Sequence, residues 1–294
     1  MEFLFYRELV ERLNFRENGS KVKEESMPKI NDLNLNNWKK YDDVLTDSLW
    51  LIPERDRSGA HTAEYHGNFI PQIPNQLMRR FTKKGDVILD TFLGSGTTLI
   101  ESRRLGRNGI GIELISDIAK KAKTNIAKEP LANGKVFTGI IIGDSTKEKT
   151  KEAVIDSLKK YKKEKTQLII MHPPYHDIIK FSNKPEDLSN SKTVNDFIKK
   201  FGLVINNFAD LLEKKHYLAI VIGDKYTNSE WVPLGFYTMQ ETMKNPDLRL
   251  KSILIKNMVN NRAKRNQEHL WRYRALVGGF YIFKHEYILL FQKK

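Results

Sequence analysis

The sequence predicts an α/β protein built on a mostly parallel sheet, and three observations carry that reading. From Gly85 onward, short apolar runs alternate with stretches of helical spacing. Three of the runs end in an acid, at Asp90, Glu113 and Asp144. A glycine-rich turn follows the first run and leads into a helix. Strands alternating with helices imply βαβ units and therefore parallel pairing.

The elements follow in order. GDVILD (85–90) is the first strand, and TTLIESRRL (97–105) after it has helical spacing. NGIGIEL (108–114) is the second strand, followed by a helix-like stretch to Lys128. KVFTGIIIGD (135–144) is the third, and the Lys- and Glu-rich stretch 147–165 is expected to form a solvated helix. QLIIMH (167–172) runs directly into Pro173 and Pro174. After a helical stretch at 193–215, HYLAIVIGD (216–224) is a fifth strand. LKSILIK (250–256) and GFYIFKHEYILLF (279–291) complete a seven-stranded sheet. No helical pattern separates these last two, so they are expected to pair as an antiparallel hairpin. Residues 1–65 lack any glycine-rich fingerprint and are expected to be an N-terminal extension to a main domain at 66–294.

Composition bounds the function. The chain has 294 residues and 40% apolar content, enough for a core. No run approaches the ~20 apolar residues that span a bilayer. The start, with Glu2, Glu8 and Glu11, reads poorly as a signal peptide, so a cytoplasmic location is expected. Cysteine is absent, which excludes disulfides, thiolate metal sites and cysteine nucleophiles; no metal is expected. The formal net charge of +14 suits a polyanionic partner, although a generally lysine-rich surface would give the same total.

DTFLGSGTT (90–98) places Gly94 and Gly96 where a tight turn lets backbone approach a ligand, and the helix start offers free amides. Alone, such a loop serves NAD, a nucleotide or S-adenosylmethionine, or is only a turn. It lacks the lysine of a Walker loop. Glu113, 23 positions after Asp90, stands where an acid accepts from ribose hydroxyls. Asp144 ends the next strand, placed to accept from an adenine amino group. Each acid alone is also a common helix cap; three in register with one glycine loop point to a ligand at the carboxyl edge of the sheet.

HPPY (172–175) falls at that same edge. Consecutive prolines fix the backbone and remove amide donors, leaving carbonyl acceptors. That suits an amine substrate, whose hydrogens need acceptors as its nitrogen becomes tetrahedral. The Pro173 carbonyl and His172 (side chain or carbonyl) are the candidate acceptors, and Tyr175 can stack on a base rotated out of a duplex. A rigid turn beside a core tyrosine is the plainer alternative.

These motifs together resemble the DNA amino-methyltransferases of restriction–modification systems, which make N6-methyladenine or N4-methylcytosine. DTFLGSGTT is similar to that family's cofactor loop. HPPY resembles its catalytic tetrapeptide, in which Asp, Asn or Ser precedes Pro-Pro and an aromatic. HGNFIPQIPNQLMRRF (66–81), HYLAIVIGDKY (216–226) and FKHEYILLFQK (283–293) resemble flanking segments of the same domain. The resemblance implies a Rossmann-like methyltransferase fold and S-adenosylmethionine held by Asp90, Phe92, Gly94, Gly96, Thr97, Thr98, Glu113 and Asp144. It implies His172, Pro173, Pro174 and Tyr175 at the reacting amine, with double-stranded DNA as substrate. It further implies a cognate restriction endonuclease system as context, and a monomer or homodimer. His172 departs from the family pattern: a neutral imidazole accepts at one nitrogen, an imidazolium at none. Serine accompanies cytosine in the family and aspartate adenine, so neutral His172 leans towards cytosine N4. The cofactor loop precedes the tetrapeptide, an order permuted relative to many small members. No large target-recognition domain is expected after residue 291.

Target reading is therefore expected in the basic stretch 256–279, read as a loop. Its part 256–274 carries six Lys or Arg against one Glu. Arg262, Lys264, Arg265, Arg272 and Arg274 are the candidate DNA contacts, interleaved with Asn, Gln and aromatics. Residues 176–192 are the candidate lid, and 1–65 a further DNA or dimer contact. Three alternatives stay open: an RNA or protein-glutamine amino-methyltransferase, a catalytically silent DNA-binding subunit, and a nicotinamide oxidoreductase, for which HPPY offers no hydride-transfer group.

Overall fold

The computed structural model describes residues 29–62, 65, 67–132, 136–258 and 268–294. Its strands are β1 (Leu49–Trp50), β2 (Val87–Asp90), β3 (Asn108–Glu113), β4 (Thr138–Ile142) and β5 (Thr166–Met171). β6 (Leu212–Ile222), β7 (Lys225–Thr227), β8 (Glu230–Val232), β9 (Leu248–Asn257) and β10 (His285–Lys293) complete the set. The helices are α1 (Gln72–Phe81), α2 (Thr97–Leu105), α3 (Ser116–Lys128), α4 (Glu148–Lys160), α5 (Val194–Phe208), α6 (Leu234–Met243) and α7 (Glu268–Gly278).

The main sheet runs β1-β9-β10-β6-β5-β2-β3-β4, with β7 and β8 forming a separate hairpin. β2 to β6 pair in parallel, and β10 pairs antiparallel with both β6 and β9. This is the expected α/β sheet with its antiparallel C-terminal hairpin. To its seven strands the structure adds β1, which pairs parallel with β9 and buries Trp50 to 2% exposure.

Alternate strand residues enter different cores, which is why the strands read as continuous apolar runs rather than alternating ones. Val87 and Leu89 join Val154, Leu158, Phe197 and Phe201, beneath α4 and α5. Ile88 joins Ile73, Leu77 and Trp50, beneath α1. Leu93, Leu99, Ile100, Ala122 and Ile126 pack α2 on α3. α5 begins at Thr193, whose side chain accepts from the Asp196 amide at 3.1 Å, satisfying one free helix-end donor.

Two boundaries differ from expectation for visible reasons. β6 starts four residues early, at Leu212, because Leu212 pairs with Thr166 of β5; a register shift passes over the exposed Glu213–Lys215 before the pairing resumes at Leu168 and Tyr217. β10 starts six residues late. Phe280 stacks on Tyr226 (4.1 Å) and Phe283 packs on Trp231 (4.1 Å), so these aromatics cover the β7–β8 hairpin instead of pairing with β9. The segment read as a loop between the last two strands contains α7. Leu270, Leu276 and Val277 are all exposed, so that helix lacks the buried apolar stripe that marks one in a sequence.

Candidate active site

Sheet order reverses at β2, which has β3 on one side and β5 on the other, and a ligand crevice opens outside such a point. The glycine loop leaves β2 and HPPY leaves β5, so topology alone brings them together. They wall one cavity of about 890 Å³. Thr91, Phe92, Gly94, Thr97, Glu113 and Asp144 line one part of it, and His172, Pro173, Pro174 and Tyr175 another. Asp90, Gly96 and Thr98 lie beneath this wall and not in it; Asp90 is 1% exposed.

The cofactor half is ordered by its acids. Glu113 Oε2 accepts from the Gly94 amide at 2.8 Å and Oε1 from the Ile115 amide at 2.9 Å. Each oxygen keeps a further lone pair for a ligand hydroxyl. Burial pushes the Glu113 carboxyl up to about 7, against the lowering pull of those amides. Asp90 accepts from the Phe92 amide at 2.9 Å, and burial raises it to about 6. Asp144 accepts from the Thr146 amide at 2.9 Å while lining the cavity. Gly94 has φ +54°, and a Cβ there would lie 3.1 Å from the Tyr65 ring. Asn68 donates to Ser95 Oγ at 2.5 Å, fastening the segment before α1 over the loop.

These residues fit S-adenosylmethionine. Carboxylates stand ready for hydroxyl and amino donors, a glycine leaves backbone open, and Thr91 Oγ1 is buried at the cavity without a partner among the described residues.

In the catalytic half, burial holds the His172 imidazole down to about 4, so it is neutral at physiological pH. Phe69 meets its ring edge-on at 4.9 Å and Tyr175 at 5.6 Å. His172 Nε2 lies 3.2 Å from Tyr175 Oη, and that hydroxyl donates to Glu286 Oε2 at 2.9 Å. Lys256 Nζ donates to Glu286 Oε1 at 3.0 Å. Sequence reasoning missed Glu286 and Lys256. Both stand at the same edge because β9 runs with the parallel strands and β10 against them, and the two residues face each other in register. The one signal for them was an isolated acid opening the apolar run HEYILLF.

Phe181, from the segment 176–192, stacks on Tyr65 at 6.0 Å, and both line the cavity together with Asp177, Ile178 and Ile179. His176 takes a left-handed φ of +52°; its Nδ1 accepts from Lys225 at 3.0 Å, and Lys225 also pairs with Asp177. Of the candidate DNA contacts, Arg272 and Arg274 are exposed on α7, close in sequence to Trp271, which lines the cavity. Arg274 lies 5.4 Å over the Trp271 ring. Arg262, Lys264 and Arg265 lie outside the described residues.

Residues 3–124 match a family model described as DNA methylase. Type II methyltransferase M.MjaII of Methanocaldococcus jannaschii is 41% identical over 68 residues, 22% of this chain and 12% of that one. M2.DpnII of Streptococcus pneumoniae is 37% identical over 103 residues, 34% of this chain and 35% of that one. M.BglI of Bacillus subtilis is 40% identical over 65 residues, 22% of this chain and 18% of that one. The chain thus spans about a third or less of these relatives in the matched stretches. The chain is thus similar to DNA methylases through residues 3–124 and to these type II methyltransferases through the matched stretches, on the α/β sheet order described above.

Proposed function

We propose that this chain transfers the methyl group of S-adenosylmethionine to the exocyclic amine of a base rotated out of double-stranded DNA, with cytosine N4 favoured over adenine N6. One observation carries the reading: the glycine loop and HPPY wall the same cavity. Bound there, the cofactor supplies an electrophilic sulfonium methyl. Asp90, Phe92, Gly94, Gly96, Thr97, Thr98, Glu113 and Asp144 hold it, by contact or from beneath. Tyr175 offers a face for the base, and neutral His172 with the Pro173 carbonyl accepts from the amine hydrogens, localising the lone pair on nitrogen.

The unit 66–294 carries these elements, and residues 1–65 supply a DNA or dimer contact. Arg262, Lys264, Arg265, Arg272 and Arg274 neutralise DNA phosphates. A restriction–modification system is the proposed setting, with the chain working as a monomer or homodimer. Among the described residues no helix is long and apolar enough to cross a membrane. Incubation with labelled cofactor and mixed DNA, followed by mass spectrometry of the nucleosides, tests the activity. N4-methylcytosine is expected. Label only in RNA or in a protein glutamine would overturn the substrate assignment.

A further inference from the structure

The chain Lys256–Glu286–Tyr175–His172 contains more polar machinery than a stacking tyrosine needs. Lys256 and Glu286 are 5% and 6% exposed, yet both line the cavity. Tyr175 Oη has one proton and two acceptors in reach, Glu286 Oε2 at 2.9 Å and His172 Nε2 at 3.2 Å. A carboxylate at the shorter distance wins that proton over a neutral imidazole. Lys256 cannot compete for it, since an ammonium only donates. With its proton committed to Glu286, Tyr175 Oη meets His172 only as an acceptor. His172 Nε2 must then carry the ring hydrogen, and Nδ1 is left as the bare lone pair. Nδ1 has no partner among the described residues, and the ring lines the cavity.

We infer that Glu286, held by Lys256 and acting through Tyr175, is a positioning residue that fixes the His172 tautomer so that Nδ1 is the acceptor for the substrate amine. This rests on the proposed amine methylation. It explains how histidine can stand where the family has Asp, Asn or Ser: an imidazole accepts at this point only if something sets its proton on the other nitrogen. As the N–C bond forms and the S–C electron pair leaves with sulfur, the amine nitrogen sheds one proton. Nδ1 is placed to take it, making a transient imidazolium whose Nε2–H remains on Tyr175. The buried charge then passes its proton to solvent.

The test replaces the acceptor. In Glu286→Leu with Lys256→Met, which removes both charges together, Tyr175 Oη has only His172 Nε2 left nearby and donates to it. The tautomer inverts, and Nδ1–H points a donor at the amine. Long-range proton–nitrogen NMR of histidine-labelled protein reads this directly, with His172→Gln assigning the signal. Wild type should show Nε2–H and the double variant Nδ1–H. An imidazole can adopt the first form unaided, so the inversion is decisive. Nδ1–H in wild type, or Nε2–H persisting in the double variant, would overturn the inference.

Kinetics give a second reading. The double variant should lose about 10–100-fold in kcat, the cost found when a residue that orients a metal-bound histidine is removed, with KM for DNA changed little. Adding Tyr175→Phe should restore activity to within a few-fold of wild type, because a ring with no hydroxyl imposes no tautomer. Failure of that rescue, in a variant whose cofactor affinity is intact, would count against the relay. The spectra need neither cofactor nor DNA. Absent methyl transfer in wild type would therefore sink the proposed activity while leaving the proton arrangement measured separately.

Discussion

At the residue scale, Glu113 decides how the cofactor half responds to pH. Buried, and raised to about 7, it is largely protonated below neutrality in the ligand-free protein, and Asp90 behaves likewise near 6. Raised acids stabilise the fold fully below their ordinary values and lose that contribution as pH rises through the folded ones. A ligand that brings hydroxyl and amino donors favours the carboxylate, so its binding releases protons. S-adenosylmethionine should bind more tightly as pH rises from about 5 to about 8, with proton release visible by calorimetry in buffers of different ionisation enthalpy. Flat affinity would remove Glu113 from the site. Glu113→Ala should weaken binding by about 1–3 kcal/mol, since it also strips the Gly94 and Ile115 amides of their acceptor. His172 works in the opposite direction: a base held at about 4 destabilises the fold as pH falls from its ordinary value towards 4.

Tyr175 belongs to the same scale. Its Cε2 would lie 2.9 Å from a Cβ at position 223, so Gly223 is what lets the ring sit against β6. Tyr175→Ala should lower methyl transfer through loss of base stacking, worth roughly 1–3 kcal/mol, and leave cofactor affinity nearly unchanged. Tyr175→Phe should keep much of the activity. An alanine variant as active as wild type in a single-turnover assay would refute the stacking role.

At the element scale, the strap between β1 and α1 is tied to α2 by a buried cluster. His61 Nε2 lies 2.6 Å from Glu101 Oε1, Asn75 donates to Glu101 Oε2 at 2.7 Å, and Arg104 pairs with Glu101 at 3.0 Å and Glu129 at 3.1 Å. Ala60 donates its amide to Glu129 at 2.8 Å. Glu101 is fully buried, so Glu101→Ala removes the partner of His61 and of Asn75 at once, while Arg104 keeps Glu129. It should cost about 3–5 kcal/mol by urea denaturation, the range for breaking a buried ion pair; a loss under about 1 kcal/mol would mean the cluster relaxes freely. Elements also show what was legible. β2, β3 and β5 were plain because both faces are buried, and of the acids that follow the strands Glu113 and Asp144 line the cavity while Asp90 lies beneath it. β1 was invisible, being two residues whose pairing comes from β9. Lys256 and Glu286 stand 30 positions apart and meet only through antiparallel register, which no local pattern carries. α7 was hidden because its apolar residues are spread around it and exposed.

At the scale of the whole molecule, the question is whether the charge of +14 is a general coat or a DNA footprint. The fold separates the two, because it has distinguishable edges. α4 crosses from the carboxyl end of β4 to the amino end of β5, so exposed Lys159 and Lys160 stand at the edge away from the cavity. Arg272 and Arg274 stand on α7, beside the Trp271 that lines it. Removing one cation that neutralises a phosphate flattens the log–log salt dependence of duplex binding by about 0.9. Arg272→Gln with Arg274→Gln should therefore reduce the slope by about two units, and Arg262→Gln, Lys264→Gln and Arg265→Gln together by roughly two to three. Lys159→Gln with Lys160→Gln removes as much charge as the first pair and should leave the slope unchanged. Cofactor affinity, measured on each variant, separates a DNA defect from unfolding. Titration of one duplex across a salt series gives all three slopes. Equal flattening in every variant would mean that binding follows total charge, and neither α7 nor the segment before it would then mark where the duplex lies.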